Sequence, residues 1–161
     1  MQTLLKRWSR LRHTRGFGVH SPFAYAFITS VLCPPRRYGY YAYSTVVRNR
    51  HMRLLVRLLA YFNPSSVGIY LAAKADMVQA VVQAVCPHAV ITRDSPSFII
   101  SDHYLPELAT ANALILGDDM PAVLPRIQSA MAHGMTFSDG RRCAVVAALP
   151  HLPRQDFELN I

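Results

Sequence analysis

Residues 63–92, NPSSVGIYLAAKADMVQAVVQAVCPHAVIT, decide the fold. Asn63-Pro64-Ser65-Ser66 stops whatever helix precedes it, and the hydrophobic period then changes. Val67–Leu71 is a short apolar run of strand length. Ala75-Asp76 opens a helix, with Asp76 as its expected N-cap. Val78, Val81, Val82 and Val85 fall on one helical face, and Pro87 closes the segment. Ala89–Thr92 is a second apolar run. Strands that are apolar throughout, rather than alternating, are buried on both faces, and a helix between two of them implies a parallel crossover.

The pattern continues downstream. Phe98–Ile100 reads as a third, short strand and Pro106–Thr110 as one helical turn. Ala113–Leu116 is a strong strand. A helix is expected from Leu124 to His133, with Pro125 at its start and Gly134 as its stop. Ser138-Asp139-Gly140 turns the chain into a last strand, Cys143–Leu149. The expectation is an α/β, Rossmann-like three-layer core with a mostly parallel sheet of about five strands, preceded by N-terminal helices.

Upstream, Met52, Leu55, Val56, Leu59 and Phe62 form a helical stripe within Arg48–Phe62, with Arg50, Arg53 and Arg57 opposite. Ser21 is placed to cap an apolar helix that runs to Leu32, and Pro22 suits its first turn. Cys33-Pro34-Pro35 ends it. Residues 1–15 put Leu4, Leu5, Trp8 and Leu11 on one face of a short basic amphipathic helix. That face can meet a membrane surface or RNA, or pack on the protein body. The chain divides into a basic helical segment, 1–62, and an α/β core, 63–161.

Charge is unevenly spread. Residues 1–75 hold twelve Lys or Arg and no acid, and all nine Asp and Glu lie between Asp76 and Glu158, so the net +8 belongs to the first half. An acid-free basic half suits a polyanion, either nucleic acid or an anionic membrane surface. Arg7, Arg10, Arg12, Arg36 and Arg37 are its candidate contacts. The last two precede Tyr38, Tyr40, Tyr41 and Tyr43, which can stack on bases or pack as an aromatic lid. No apolar run reaches the roughly 18–20 residues a transmembrane helix needs. Three well-separated cysteines do not make a disulfide framework, and point to a reducing, cytoplasmic setting.

In open parallel sheets, ligands bind beyond the carboxyl ends of the strands. A nucleotide site there needs glycine after the first strand, so that main chain can approach the ligand. Here that turn reads Leu71-Ala72-Ala73-Lys74-Ala75-Asp76, and the nearest glycine, Gly68, is inside the strand. Arg93-Asp94 follows the second strand, where Asp94 can hold a ribose or simply make a turn. Gly117-Asp118-Asp119 follows the strong strand, where either acid can bind a substrate hydroxyl or a metal, or start the turn. Zinc-motif histidine spacing, a nucleophile elbow and a P-loop are all absent from the sequence.

One further stretch carries a resemblance. Gly16-Phe-Gly18-Val-His20-Ser21-Pro22-Phe23, then Phe27–Leu32, Tyr40-Tyr-Ala-Tyr43 and the Arg-bearing Arg53–Pro64, resembles the N-terminal signature of a bacterial group of class I S-adenosylmethionine-dependent methyltransferases. The likeness covers residues 15–70 well and 71–149 loosely. It implies S-adenosylmethionine as cofactor and methyl transfer by in-line displacement, with binding and orientation supplying most of the catalysis. It also implies a cofactor site at Ile69, Leu71, Ala72 and Asp94, with Asp118 near the reacting group. In that family the first strand ends in an acid followed by a Gly-rich loop. Here Ile69 stands at the acid, and Leu71 and Ala75 stand at glycines, so weakened or lost methyl transfer is expected. The family's fold adds two strands after a fifth, and this chain ends soon after its fifth candidate. An incomplete or truncated core is therefore expected, with an exposed sheet edge that invites self-association.

Overall fold

The computed structural model describes residues 14–16, 18–34 and 49–161. Helix α1 (Pro22–Phe27) begins as the sequence requires. Ser21 accepts a hydrogen bond from the Ala24 N–H at 3.2 Å, and Pro22 sits in the first turn. A π-helical turn, Ile28–Leu32, extends it to Cys33. Gly16 and Gly18 ahead of it have φ of 77° and 78°. A Cβ on Gly16 would lie 2.5 Å from the Tyr25 ring, so this turn accepts little but glycine. Phe23 stacks on Phe27 with ring centroids 5.5 Å apart. The Gly-rich signature thus delivers α1 into the core.

Helix α2 (Arg50–Phe62) is capped by Asn49, whose side chain accepts from the His51 and Met52 N–H groups, and ends at left-handed Asn63. Then follow β1 (Ser66–Tyr70), α3 (Ala75–Val85), β2 (Val90–Ile91), β3 (Phe98–Ser101), a 3₁₀ turn at Pro106–Ala109, and β4 (Asn112–Leu116). Next come α4 (Met120–Ala130), β5 (Met135–Ser138), β6 (Cys143–Ala147) and β7 (Gln155–Glu158). The strands form one sheet in the order β2-β1-β3-β4-β6-β5-β7. Strands β1 to β4 run parallel, β6 is antiparallel to both β4 and β5, and β7 is parallel to β5.

The strands expose alternate residues to two cores. Val67, Phe98, Ile100, Leu114, Phe137 and Val145 join α1, α2 and α3 in one. Ile99, Ala113, Ile115, Ala144 and Val146 join α4 and the 3₁₀ turn in the other. Helices on both faces of a mostly parallel sheet make this a three-layer, Rossmann-like α/β fold. Phe137 of β5 ties α1 to the sheet, with ring centroids 5.2 Å from Phe27 of α1 and from Phe157 of the neighbouring strand β7. No helix among the described residues is long and apolar enough to cross a membrane.

The sheet has seven strands, not about five. The two unexpected ones, β5 and β7, escaped because Met-Thr-Phe-Ser is half polar and Gln-Asp-Phe-Glu is polar at three positions of four. Thr136 and Ser138 of β5 are nevertheless buried. Thr136 accepts from Gln128 at 3.1 Å and donates to Asp156, while Ser138 donates to the Cys143 carbonyl at 3.1 Å. With their polar groups satisfied, such residues can line a core. The fourth helix also starts four residues before Leu124, placing Pro121 in its first turn and Pro125 inside it. Helix α3 has Lys74, not Asp76, at its N-cap.

Candidate functional site

After β1 the chain moves outward to β2, then returns across β1 to form β3 on the other side. The strand order therefore reverses between β1 and β3, and in an open parallel sheet this switch point is where ligands are bound. Two loops meet there, Leu71–Lys74 after β1 and Asp102–Leu105 after β3.

These loops are bonded to each other. The Asp102 N–H donates to the Tyr70 carbonyl at 3.1 Å, continuing the β1–β3 pairing. The Asp102 carboxylate then accepts the Ala72 N–H at 2.6 Å through Oδ2 and meets His103 Nδ1 at 2.8 Å through Oδ1. Partial burial pushes this carboxyl toward protonation. The bonds from His103 and from the Ala72 N–H outweigh that and hold it below its ordinary range. The buried Ser101 hydroxyl donates to the His103 carbonyl at 2.8 Å and accepts the His103 N–H at 3.2 Å. On the far side, a Cβ on Gly117 would lie 2.7 Å from the Asp102 carbonyl oxygen. The β4 end can close against β3 only because residue 117 is glycine.

The loop after β1 keeps a shape that favours glycine without having one. Lys74 is left-handed, with φ 64° and ψ 19°, and offers no side-chain cap to α3. Inside β1, Gly68 makes room for the Tyr70 ring and Pro96, which would lie 2.7 and 2.8 Å from a Cβ. The Tyr70 hydroxyl donates to the Arg93 carbonyl at 3.2 Å.

One strand over, beside β1 and β2, lies an open crevice of about 340 Å³ lined by Ile69, Ala75, Gln79, Ile91, Thr92 and Arg93. Of the four positions expected to hold a cofactor, only Ile69 lines it. Leu71 is half-buried against the core of α1–α3, and Ala72 is exposed with its N–H taken by Asp102. Asp94 is exposed in the turn after β2, where its N–H donates to Thr92 Oγ1 at 3.0 Å. Asp118 is a surface residue paired with Arg142 Nε at 2.7 Å, with both side chains largely exposed. Two strands, β1 and β3, separate β2 from β4, so the ends that carry Asp94 and Asp118 are about 14 Å apart. The structure does not bring these two acids to one place.

In the N-terminal signature, Gly16, Gly18, Ser21, Pro22 and Phe23 serve the turn and cap described above, while His20 is exposed. The candidate polyanion contacts Arg7, Arg10, Arg12, Arg36 and Arg37 lie outside the described residues, as do the first amphipathic helix and Tyr38, Tyr40, Tyr41 and Tyr43.

Sequence reading missed Asp102 and His103. The available signal was an Asp-His pair one residue beyond the short apolar run Phe98–Ile100.

The arrangement defines an α/β protein with a bridged switch point and an open crevice beside it. No protein family, curated protein or solved structure matches the chain.

Proposed function

We propose that this chain is a methyltransferase-like α/β protein in which S-adenosylmethionine-dependent methyl transfer is weak or lost. One observation carries the reading: the Asp102 carboxylate occupies the Ala72 N–H across the switch point. A nucleoside-bearing cofactor needs free main-chain donors and bare backbone there. Ala72, Ala73 and Lys74 instead carry side chains, and a fixed anion already takes the donor. The neighbouring crevice has no carboxylate for a ribose, since Ile69 lines it and Asp94 does not. These residues do not suit S-adenosylmethionine. The likeness to a methyltransferase rests on the Gly16–Phe23 segment and on a sheet of seven strands, the number that likeness implies. Fold-level analogy alone does not assign an activity.

Calorimetric titration with S-adenosylmethionine tests the proposal. No saturable heat is expected, and micromolar binding would overturn it. A cytoplasmic setting belongs to the same reading, because Cys33, Cys86 and Cys143 are all free thiols.

The acid-free charge of residues 1–75 favours a second reading, a binding module for nucleic acid or an anionic surface. Its affinity would fall steeply with salt. Binding left intact after replacing Arg7, Arg10, Arg12, Arg36 and Arg37 together would remove it. Self-association through a sheet edge is a further proposal. Edge strand β2 is only two residues long, with Val90 63% exposed, so β7 is the better candidate. A monodisperse monomer in light scattering would count against association at either edge.

A further inference from the structure

We propose that His103 is a solvent-facing general base, held by Asp102, that accepts a proton from a hydroxyl, water or amine at the switch point between β1 and β3. This does not rest on methyl transfer and uses no residue of the crevice.

The reversal of strand order is where ligands approach an open parallel sheet; the Asp102–Ala72 bond takes the backbone donor there, but the His103 ring stands at the surface of that point. Asp102 is held at three atoms: its N–H by Tyr70, one carboxylate oxygen by Ala72 and the other by the His103 ring. The His103 backbone is held on both sides by the Ser101 hydroxyl. Holding a reacting group in place is what proton transfer in an active site requires.

An ionised carboxylate only accepts, so the neutral imidazole must carry its proton on Nδ1 and leave the Nε2 lone pair free. The ring side chain is 57% exposed, and among the described residues no group other than Asp102 bonds to it. The Nε2 lone pair takes the proton of an O–H or N–H. The bonding pair stays on that oxygen or nitrogen, which thereby becomes the nucleophile. The resulting imidazolium is balanced by the Asp102 carboxylate, and its exposed ring can return the proton to solvent.

Other charged groups on the adjoining elements have their own settings. Arg126 of α4 stacks on Tyr104, 3.9 Å from its centroid, and Asp118 beyond β4 pairs with Arg142. Lys74 and Asp119 are exposed on the loops after β1 and β4. Asp102 is therefore the positioning residue for His103.

The test uses the full chain as wild type, His103→Gln and Asp102→Asn. Nitrogen-15 NMR of the ring reads the tautomer, and hydrolysis of p-nitrophenyl acetate, with water as the proton-bearing nucleophile, reads the chemistry. The wild-type ring is expected to be mainly the Nδ1–H form and the Asp102→Asn ring a mixture. His103→Gln should lose about tenfold or more of the protein-catalysed rate, with a smaller loss in Asp102→Asn. A wild-type ring mainly in the Nε2–H form, or a wild-type rate in His103→Gln, overturns the proposal. Should Asp102→Asn fail to fold, the wild-type tautomer and the His103→Gln rate still decide. Failure to bind S-adenosylmethionine leaves both readouts unaffected, so the two proposals stand or fall separately.

Discussion

Gly117→Ala is the perturbation that most directly links the sheet to its site. Gly117 directly follows β4, and its N–H donates to the Arg142 carbonyl at 3.0 Å, which anchors it from the β6 side. An added methyl would sit 2.7 Å from the Asp102 carbonyl oxygen, which is backbone and cannot rotate away. To regain normal contact, one strand end must move by about half an ångström or more. Overpacking of this kind costs roughly 1–3 kcal/mol. The shift also strains the Asp102 bond to the Ala72 N–H, which adds little because the carboxylate is partly exposed. A loss of about 2 kcal/mol is expected, or about 4–8 °C in melting temperature for a domain of this size. Urea and thermal unfolding followed by circular dichroism measure it. Gly134→Ala provides a harsher comparison, because Gly134 combines φ of 100° with a clash on the Ala147 carbonyl. A Gly117→Ala protein within about 0.5 kcal/mol of wild type would refute the reasoning, since an exposed, unstrained glycine would give that result.

Phe137→Ala removes the ring between Phe27 and Phe157 and should cost about 3–5 kcal/mol, read by denaturant unfolding. Lys74→Gly relieves a left-handed lysine and should be neutral or stabilising by up to about 1 kcal/mol, because the gain is offset by the freer unfolded chain; a clear loss would reveal a role for the side chain. The folded Asp102 carboxyl lies below its ordinary value of about 3.9. Its contribution to stability is therefore complete above that value and vanishes as pH falls through the lower, folded one. The stability gap between wild type and Asp102→Asn should be widest near neutral pH and close in acid, and a gap that widens in acid would reverse the assignment. Burial pushes the Cys143 thiol up to about 12 and Cys33 up to about 11. Both should resist alkylation at about pH 8 until denaturant is added, with labelling followed by mass spectrometry.

Much of the secondary structure was readable because its signals are local. Ser21 caps α1 and Pro22 starts it, as the spacing of an N-cap demands. The valines of α3 and the apolar runs of β1, β3, β4 and β6 stand where periodicity put them. Reading failed where a strand was half polar. In β5, Thr136 and Ser138 look like surface residues until Gln128, Asp156 and the Cys143 carbonyl are brought to them. At the site, the absence of glycine after β1 is plain in the sequence, but that Lys74 takes the left-handed conformation there is not. A loop's dihedral angles depend on where both of its ends are held.

The chain's own order of residues determined a helix-and-strand alternation, a missing glycine loop and a basic first half, because caps, periods and charge act over a few neighbouring residues. Only the tertiary structure decided that Asp102 reaches Ala72, thirty residues earlier, and that Asp94 and Asp118 stay apart. Those outcomes follow from which strand lies beside which. Hydrogen-bonded pairing across the whole sheet sets that, and no short stretch of sequence contains it.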